Sequence, residues 1–558
     1  MLGKIAVNQA GYPRGGEKIA YVRGANVDHQ YQVTDIESGH VVMNCSVGCD
    51  TVHPQLAEQV RQLDFTALAE PGLYRIHEAG GHAVSSLFAV HEDVYRPIWR
   101  LAMRSYRLQR CGIALDDAET GLAHAACHTR LAFIRETGEP IDVSGGWHDA
   151  GDYGRYTQTA AVTVGQLLML WTLAPRTLSA DDAFWSEIRY ELEWLLKMQR
   201  EDGGVYHKVN TARFCGMVLP EADAETLLVY DVATPDTAVF CAAMARAARV
   251  YEAFDGGFAE RCGQAARRAW VYLQGAPPFL DPPNDGTGAY RTSTDADERL
   301  WAGVEMWLLT GDEGIGAGVA RDYAAVVPTE GSFGPANWED VTALAVLALA
   351  RNEREGTALG EGSTPGSTDG STDRLKWGST AGSTDGSGDW LVESARADLD
   401  AHARRIVRRI QQDPYHCALT PSEYEWASVK SAAAYGVDLA VAWLHHPDPD
   451  FLAGARHQLA FACGANPLGR SFVTGLGEHC ARHPHHRLAV ATGRLVPGLV
   501  VGGPNAHAYR QDKVTPIAPG PLAYVDDARA YASNEYAIDY NAPLVMLAVL
   551  LDEVDRLP

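Results

Sequence analysis

The chain is 558 residues long, and 47 Lys+Arg against 71 Asp+Glu leave a formal net charge of −24. A surface this acidic repels phosphate backbones and anionic lipid, which excludes nucleic acid and membrane as partners. Hydrophobic residues at 46% beside 21% charged describe a globular chain, one too long for a single ordinary domain and without the roughly 20-residue apolar run of a membrane helix.

The opening Met1-Leu-Gly-Lys-Ile-Ala-Val-Asn-Gln9 lacks the basic start, apolar stretch and cleavage site of a secretory signal. The expectation is a cytoplasmic protein, or the trimmed mature form of a secreted one. Residues 1–92 read as all-β: Lys18-Ile-Ala-Tyr-Val22, Tyr31-Gln-Val33 and Gly72-Leu-Tyr-Arg-Ile76 alternate and are separated by Gly, Pro, Asp and Asn. Short strands at this spacing predict a small β-sandwich. Ten cysteines in a chain of this size do not make a disulfide scaffold, and Cys45 and Cys49 read as two small half-buried thiols.

From Tyr95 the period changes. Helical apolar spacing runs over 95–111, 155–175, 182–200, 235–254, 258–275, 296–310, 339–352, 391–412, 428–445, 449–463 and 536–555. These segments and little strand signal predict an all-α second domain over 93–558, with binding groups on its long loops. Residues 361–389 stand apart, repeating Gly-Ser-Thr from 362, 366, 370, 378 and 382. They read as a flexible surface insertion with too few apolar groups to fold.

Three polar clusters carry chemistry. In Gly145-Gly-Trp-His-Asp149-Ala-Gly-Asp152-Tyr-Gly154, glycines let the backbone bend tightly around two carboxylates that can point into one cavity. A loop of helix-capping aspartates is the plainer alternative. Glu535 falls between the aromatic-rich Tyr524–Asn534 and an apolar helix. There it suits a general acid with a raised pKa, or a carboxylate serving a helix N-terminus. The Gly-rich tract Asn466–Gly477, with His485, His486 and Arg487 beyond it, suits hydrogen bonding to sugar hydroxyls.

Together and in this order, the clusters resemble glycoside hydrolase family nine, the family of many cellulases. Ser471–Arg487 follows one family signature, except that His479 stands where Asn, Lys or Arg is usual; Tyr524–Ala542 follows the other without mismatch. Trp147-His-Asp-Ala-Gly-Asp152 is similar to the family's catalytic-base loop. Lys4–Tyr12 is similar to the opening of the immunoglobulin-like module that precedes the catalytic domain in one branch. The resemblance implies an immunoglobulin-like sandwich followed by an (α/α)6 barrel, and an inverting hydrolase of β-1,4-glucans with Glu535 as acid and Asp152 as base. Asp149 would hold the water and keep Asp152 ionised, while His485, Arg487, Tyr540 and His207 would bind sugar. An endoglucanase is the expected activity. An exo-acting cellodextrinase, β-glucosidase or β-glucosaminidase on soluble oligosaccharides is the alternative, because Trp426-Ala-Ser-Val-Lys430 departs from the Trp-Gly-Ser-Asn frequent in the family.

The resemblance further implies structural zinc on Cys111, Cys127, His128 and His148, a complete tetrahedral set, pinning the loop that follows His148. It also implies calcium on Ser293, Thr294, Asp297, Glu298 and Asp340, with carboxylates capping a helix start as the plainer alternative.

Overall fold

The computed structural model describes residues 5–24, 30–178, 181–281, 287–328, 331–351 and 387–557. The N-terminal part is a sandwich of two sheets. One orders Ile5–Ala6, Ile19–Arg23, Glu58–Asp64 and Val47–His53; the other orders Tyr12–Pro13, Phe88–His91, Gly72–Glu78, Tyr31–Asp35 and Val41–Cys45. Alternation sends Val22, Val33, Leu63, Ile76 and Phe88 into one core. There the Tyr12 ring meets Phe65 and Phe88 edge-on at 5.0 and 5.5 Å. Cys45 is buried and free; the Cys49 side chain lies outside the described residues.

The last sandwich strand ends at His91, and the first helix begins at Tyr95. Beyond it, the described residues form twelve helices of ten residues or more. Thr157–Leu173, Thr234–Tyr251, Ala296–Thr310, Thr342–Arg351, Ser428–His445 and Ile538–Val554 each pack on the next, and the last packs on the first, closing a ring. Against these lie, in the same order, Asp182–Lys197, Gly256–Gly275, Glu313–Val326, Ser387–Gln412, Pro449–Ala462 and Tyr95–Leu108. The ring of six inside six is an (α/α)6 barrel. Side-chain patterning sorts the layers: Thr157–Leu173 is buried apart from Trp171 and Thr172, whereas Glu313–Val326 buries only Gly316, Val319 and Tyr323. A helix apolar on every side belongs inside and an amphipathic one outside.

Three features depart from the sequence reading. Glu313–Val326 was not among the predicted helices, because Gly314, Gly316 and Gly318 interrupt its apolar period; the Asp312 carboxylate caps it by accepting from Gly314 and Ile315 N–H. The helical domain also carries a five-stranded sheet, ordered Pro140–Ile141, Ala132–Ile134, Leu228–Val229, Lys208–Asn210 and Arg155–Tyr156. Strands of two or three residues show no readable alternation. Finally, the helix from Ser387 takes in residues 387–389, which the sequence reading had placed in the insert; residues 361–386 lie outside the described residues. Among the described residues, no helix is long and apolar enough to cross a membrane.

The two domains share polar contacts. The Gln9 amide donates to the Gly469 and His479 carbonyls at 3.3 Å, and its oxygen accepts from His479 N–H at 2.8 Å. Arg75 pairs with Glu478 at 2.5 Å.

The inner ring is packed to contact at Gly165, where an added methyl would overlap the Trp301 indole. Alanine is the better helix former by about 1 kcal/mol, but overpacking costs about 1–3 kcal/mol. Gly165→Ala is therefore expected to lower the thermal midpoint, read by calorimetry; an unchanged or raised midpoint would contradict the packing.

Candidate active site

Loops at the N-terminal ends of five of the six inner helices open on a cavity of about 930 Å³. Asp149, Asp152, His485, Arg487, Glu535 and Tyr540 all line it. Residues up to 391 apart in sequence, Asp149 and Tyr540, thus meet because the ring closes between its first and last helices.

The loop bearing the two aspartates is held on all sides. Gly146 takes φ +76°, a conformation that favours glycine. Arg155 donates to the Val143 and Gly145 carbonyls. The Gln109 amide donates to the His148 and Ala150 carbonyls at 3.3 Å, and its oxygen meets His486 Nε2 at 2.8 Å. Gly151 is where this loop touches the other half of the site. Its N–H donates to Glu535 Oε1 at 3.3 Å, and its carbonyl accepts from Arg487 N–H at 3.0 Å and Arg487 Nη1 at 2.7 Å. A side chain on Gly151 would collide with the His485 carbonyl.

The carboxyls differ in surroundings. Asp149 is buried, accepting from the Thr159 hydroxyl and, at 2.6 Å, from the Tyr290 hydroxyl. Burial first, then the Asp152 charge, push its pKa well above the usual carboxylate range against those hydrogen bonds. Asp152 Oδ2 accepts from Gly154 N–H and the Tyr156 hydroxyl at 3.1 Å and from Asn210 Nδ2 at 3.4 Å. Among the described residues, Oδ1 has no protein partner. Glu535 sits in extended backbone between Tyr531–Asn534 and Ile538–Val554. Burial, then the Asp152 charge, raise it to about 8 against the pull of Arg487. At neutral pH it holds a proton.

His485 bridges to Glu535 in parallel register, and its Nδ1 donates to the Ala528 carbonyl at 2.6 Å, so Nε2 is the acceptor. The Tyr540 hydroxyl accepts from Trp426 Nε1 at 2.6 Å. Two expected sugar contacts are different here. The Arg487 guanidinium is largely engaged with the Gly151 and Cys215 carbonyls. His207 is not among the lining residues; its Nδ1 meets Asp236 at 2.7 Å and its Nε2 meets the Ala289 carbonyl at 3.1 Å. Both ring nitrogens are thus engaged, and His207 braces the segment carrying Tyr290. Tyr290 itself, with φ +37°, escaped sequence reasoning, as did Thr159, Tyr156 and Asn210. None sits in a motif; Asn210 had only its nearness to His207 as a signal.

Below the loop, Cys111, Cys127, His128 and His148 are all buried, with one donor atom from each lying within 4.8 Å of the others. His128 Nε2 meets Asp223 at 3.4 Å, while Nδ1 is buried and unpartnered. Two thiols, an imidazole Nε2 beside Cys127 Sγ at 3.7 Å and that free Nδ1 match a four-coordinate metal, and Asp223 orients His128 as an outer partner does. The calcium set fits less well. Asp297 and Glu298 are buried and Glu298 Oε2 has no partner, but Ser293 and Thr294 are exposed and Asp340 Oδ1 caps Thr342 N–H. Among the described residues, three or more His, Cys, Asp or Glu donors converge only at the Cys111 set.

Known proteins match nearly the whole length of this chain. A family model described as Glycosyl hydrolase family 9 matches residues 95–548, and one described as Cellulase N-terminal ig-like domain matches residues 3–82. Endoglucanase D of Acetivibrio thermocellus is 30% identical over 567 residues, covering 97% of this chain and 82% of its own. A cellodextrinase of Butyrivibrio fibrisolvens is 28% identical over 579 residues, covering 97% and 98%. The crystal structure of a metagenome-derived glycoside hydrolase family 9 endoglucanase superposes with a TM-score of 0.87 at 35% identity, covering 98% and 99%.

Glu535 makes stability depend on pH. Its folded value of about 8 exceeds the ordinary 4.5, so the unfolded chain releases the proton first and stability falls as pH rises between those values. Glu535→Gln removes this loss. The thermal midpoint of the variant relative to the parent is expected to rise from pH 5 to pH 8.5; a constant difference would show that Glu535 is not held protonated.

Proposed function

The chain belongs to glycosyl hydrolase family 9, and from that membership we propose that it cleaves β-1,4-glucosidic bonds of glucans as an endoglucanase, by a single inverting displacement. The observation that carries this is the pairing of a half-buried Glu535, raised to about 8, with Asp152 across Gly151. A protonated carboxyl donates to the departing glycosidic oxygen, while Asp152 takes a proton from the attacking water. Inverting sites hold the two groups roughly 6.5–9.5 Å apart to leave room for that water. Asp149, which burial and the Asp152 charge push towards the neutral form, can share in orienting the water. Glu535 is renewed as product leaves and the proton taken by Asp152 is released. His485 Nε2 and the Trp426–Tyr540 pair supply an acceptor and ring faces for sugar.

The relative named cellodextrinase matches over 98% of its own length, so the same two-domain layout accompanies that activity in it. A random spread of products from cellohexaose supports endo action; release of one end unit at a time supports the exo reading.

We further propose that Cys111, Cys127, His128 and His148 hold zinc. The ion would supply no chemistry to the reaction; bound, it would fix His148, and with it the neighbouring Asp149 and the loop to Asp152.

Glu535→Gln is expected to lower turnover on glucans about 10²–10⁴-fold, and far less on aryl glycosides whose leaving group needs little protonation. Parent activity should fall as pH rises through about 8, as Glu535 loses its proton. Equal losses on both substrates would remove Glu535 as the acid. For zinc, elemental analysis of protein purified without chelator is expected to find about one zinc per chain, and Cys127→Ser to lower the thermal midpoint and turnover together. Metal-free protein of full stability would refute the site.

A further inference from the structure

Lys430 stands in the first turn of Ser428–His445 and lines the cavity with a side chain only 5% exposed. That is an unfavourable place for a cation. The N-terminal end of a helix carries partial positive charge, and burial strips an ammonium of its water. One partner compensates: Lys430 Nζ donates to Asp539 Oδ2 at 3.1 Å, from the first turn of Ile538–Val554. Among the described residues, the other two Nζ donors have no protein acceptor.

Its surroundings have the form of a sugar-binding wall. Trp426, 40% exposed, donates to the Tyr540 hydroxyl, and Lys430 Nζ lies 5.4 Å from the Tyr540 ring centre. The other cations lining the cavity are engaged elsewhere: Arg487 with backbone carbonyls, and Arg291 with Asp281 at 2.6 Å. Lys430 is therefore the buried charge that a sugar lying on Trp426 and Tyr540 meets.

An ammonium only donates. A hydroxyl oxygen on the sugar can accept from it. A protonated amine in the same place brings donors alone and a like charge, so neither group finds an acceptor and both are desolvated. We propose that Lys430, held by Asp539, is a specificity-determining residue that admits hydroxyl-bearing glucose units and rejects 2-amino-2-deoxyglucose units at the position it borders, a role that rests on the hydrolase reading above. The remaining charge of the cavity works the other way, since Asp152, Glu339 and Glu425 line it and an acidic chamber attracts a cationic sugar. Removing Lys430 should therefore open the site to amino sugars.

The test compares kcat/KM on cellotetraose and on the glucosamine tetramer at pH 6 for the parent, Lys430→Gln and Lys430→Arg. Because Lys430→Gln strands a buried carboxylate, the double variant Lys430→Gln/Asp539→Asn, which removes both charges, is measured beside it. The parent is expected to favour cellotetraose by at least about 100-fold, the Gln variants to narrow that ratio by about tenfold or more, and Lys430→Arg to keep it. Folded Gln variants with the parent's ratio, or a parent that cleaves both tetramers equally, overturn the assignment. Binding of the two tetramers to Glu535→Gln, with and without the Lys430 change, reads the same discrimination without turnover. A parent that hydrolyses neither tetramer sinks the hydrolase reading, while those binding ratios still decide Lys430.

Discussion

Six inner helices bring their N-terminal ends to one end of a closed ring, and that convergence lets buried acids exist where they do. Asp149, Glu298 and Asp539 are buried and Glu535 is half-buried at these ends, where burial alone would drive carboxyls towards their neutral form. The partial positive charge of a helix N-terminus opposes that drive. The balance is struck differently at each position. Glu535, with one backbone donor from Gly151, is raised to about 8; Asp152 has three donors on one oxygen and the other facing the cavity. Two carboxyls in such different surroundings facing one cavity are what an acid–base pair requires.

Glu535 and Asp152 come from opposite ends of the barrel sequence, and the packing of Ile538–Val554 on Thr157–Leu173 brings them together. Gly151 joins the halves through its N–H and carbonyl, and the Gln109–His486 contact ties the same halves one layer further out. Further still, the sandwich domain supports the tract before His485 through Gln9 and Arg75. His479, the departure from the family signature, accepts no sugar in this arrangement; it lies between Gln9 and Arg470. On the base side, Asp236, His207 and the Ala289 carbonyl form a chain ending at Tyr290, whose hydroxyl holds Asp149.

What was legible in the sequence followed from how narrowly chemistry restricts residue choice. Asp149, Asp152 and Glu535 stand in glycine- and aromatic-rich runs because the loop must bend and the acid must be dry, and those runs can be read. Long helices could be read by their period, and Glu313–Val326 could not, since its glycines, of which Gly316 packs against Trp307, erase the apolar stripe. Strands of two residues, such as Arg155–Tyr156, have no period at all, although this one aligns the base loop with Asn210. Cys111, Cys127, His128 and His148 gather from three separate segments, so only resemblance singled them out. His207, a sugar contact implied only by resemblance, stands behind the cavity with its ring nitrogens on Asp236 and the Ala289 carbonyl.

In the proposed reaction Glu535 and Asp152 act together in one displacement, with a water between base and sugar. Proton NMR of cellotetraose hydrolysis, followed before mutarotation equilibrates the products, observes that step directly. The first reducing ends released are expected to be α-anomers, the inverse of the β-linkage cleaved. Initial release of β-anomers would mean a covalent intermediate and two displacements, and would contradict the assignment of Asp152 as a base acting through water.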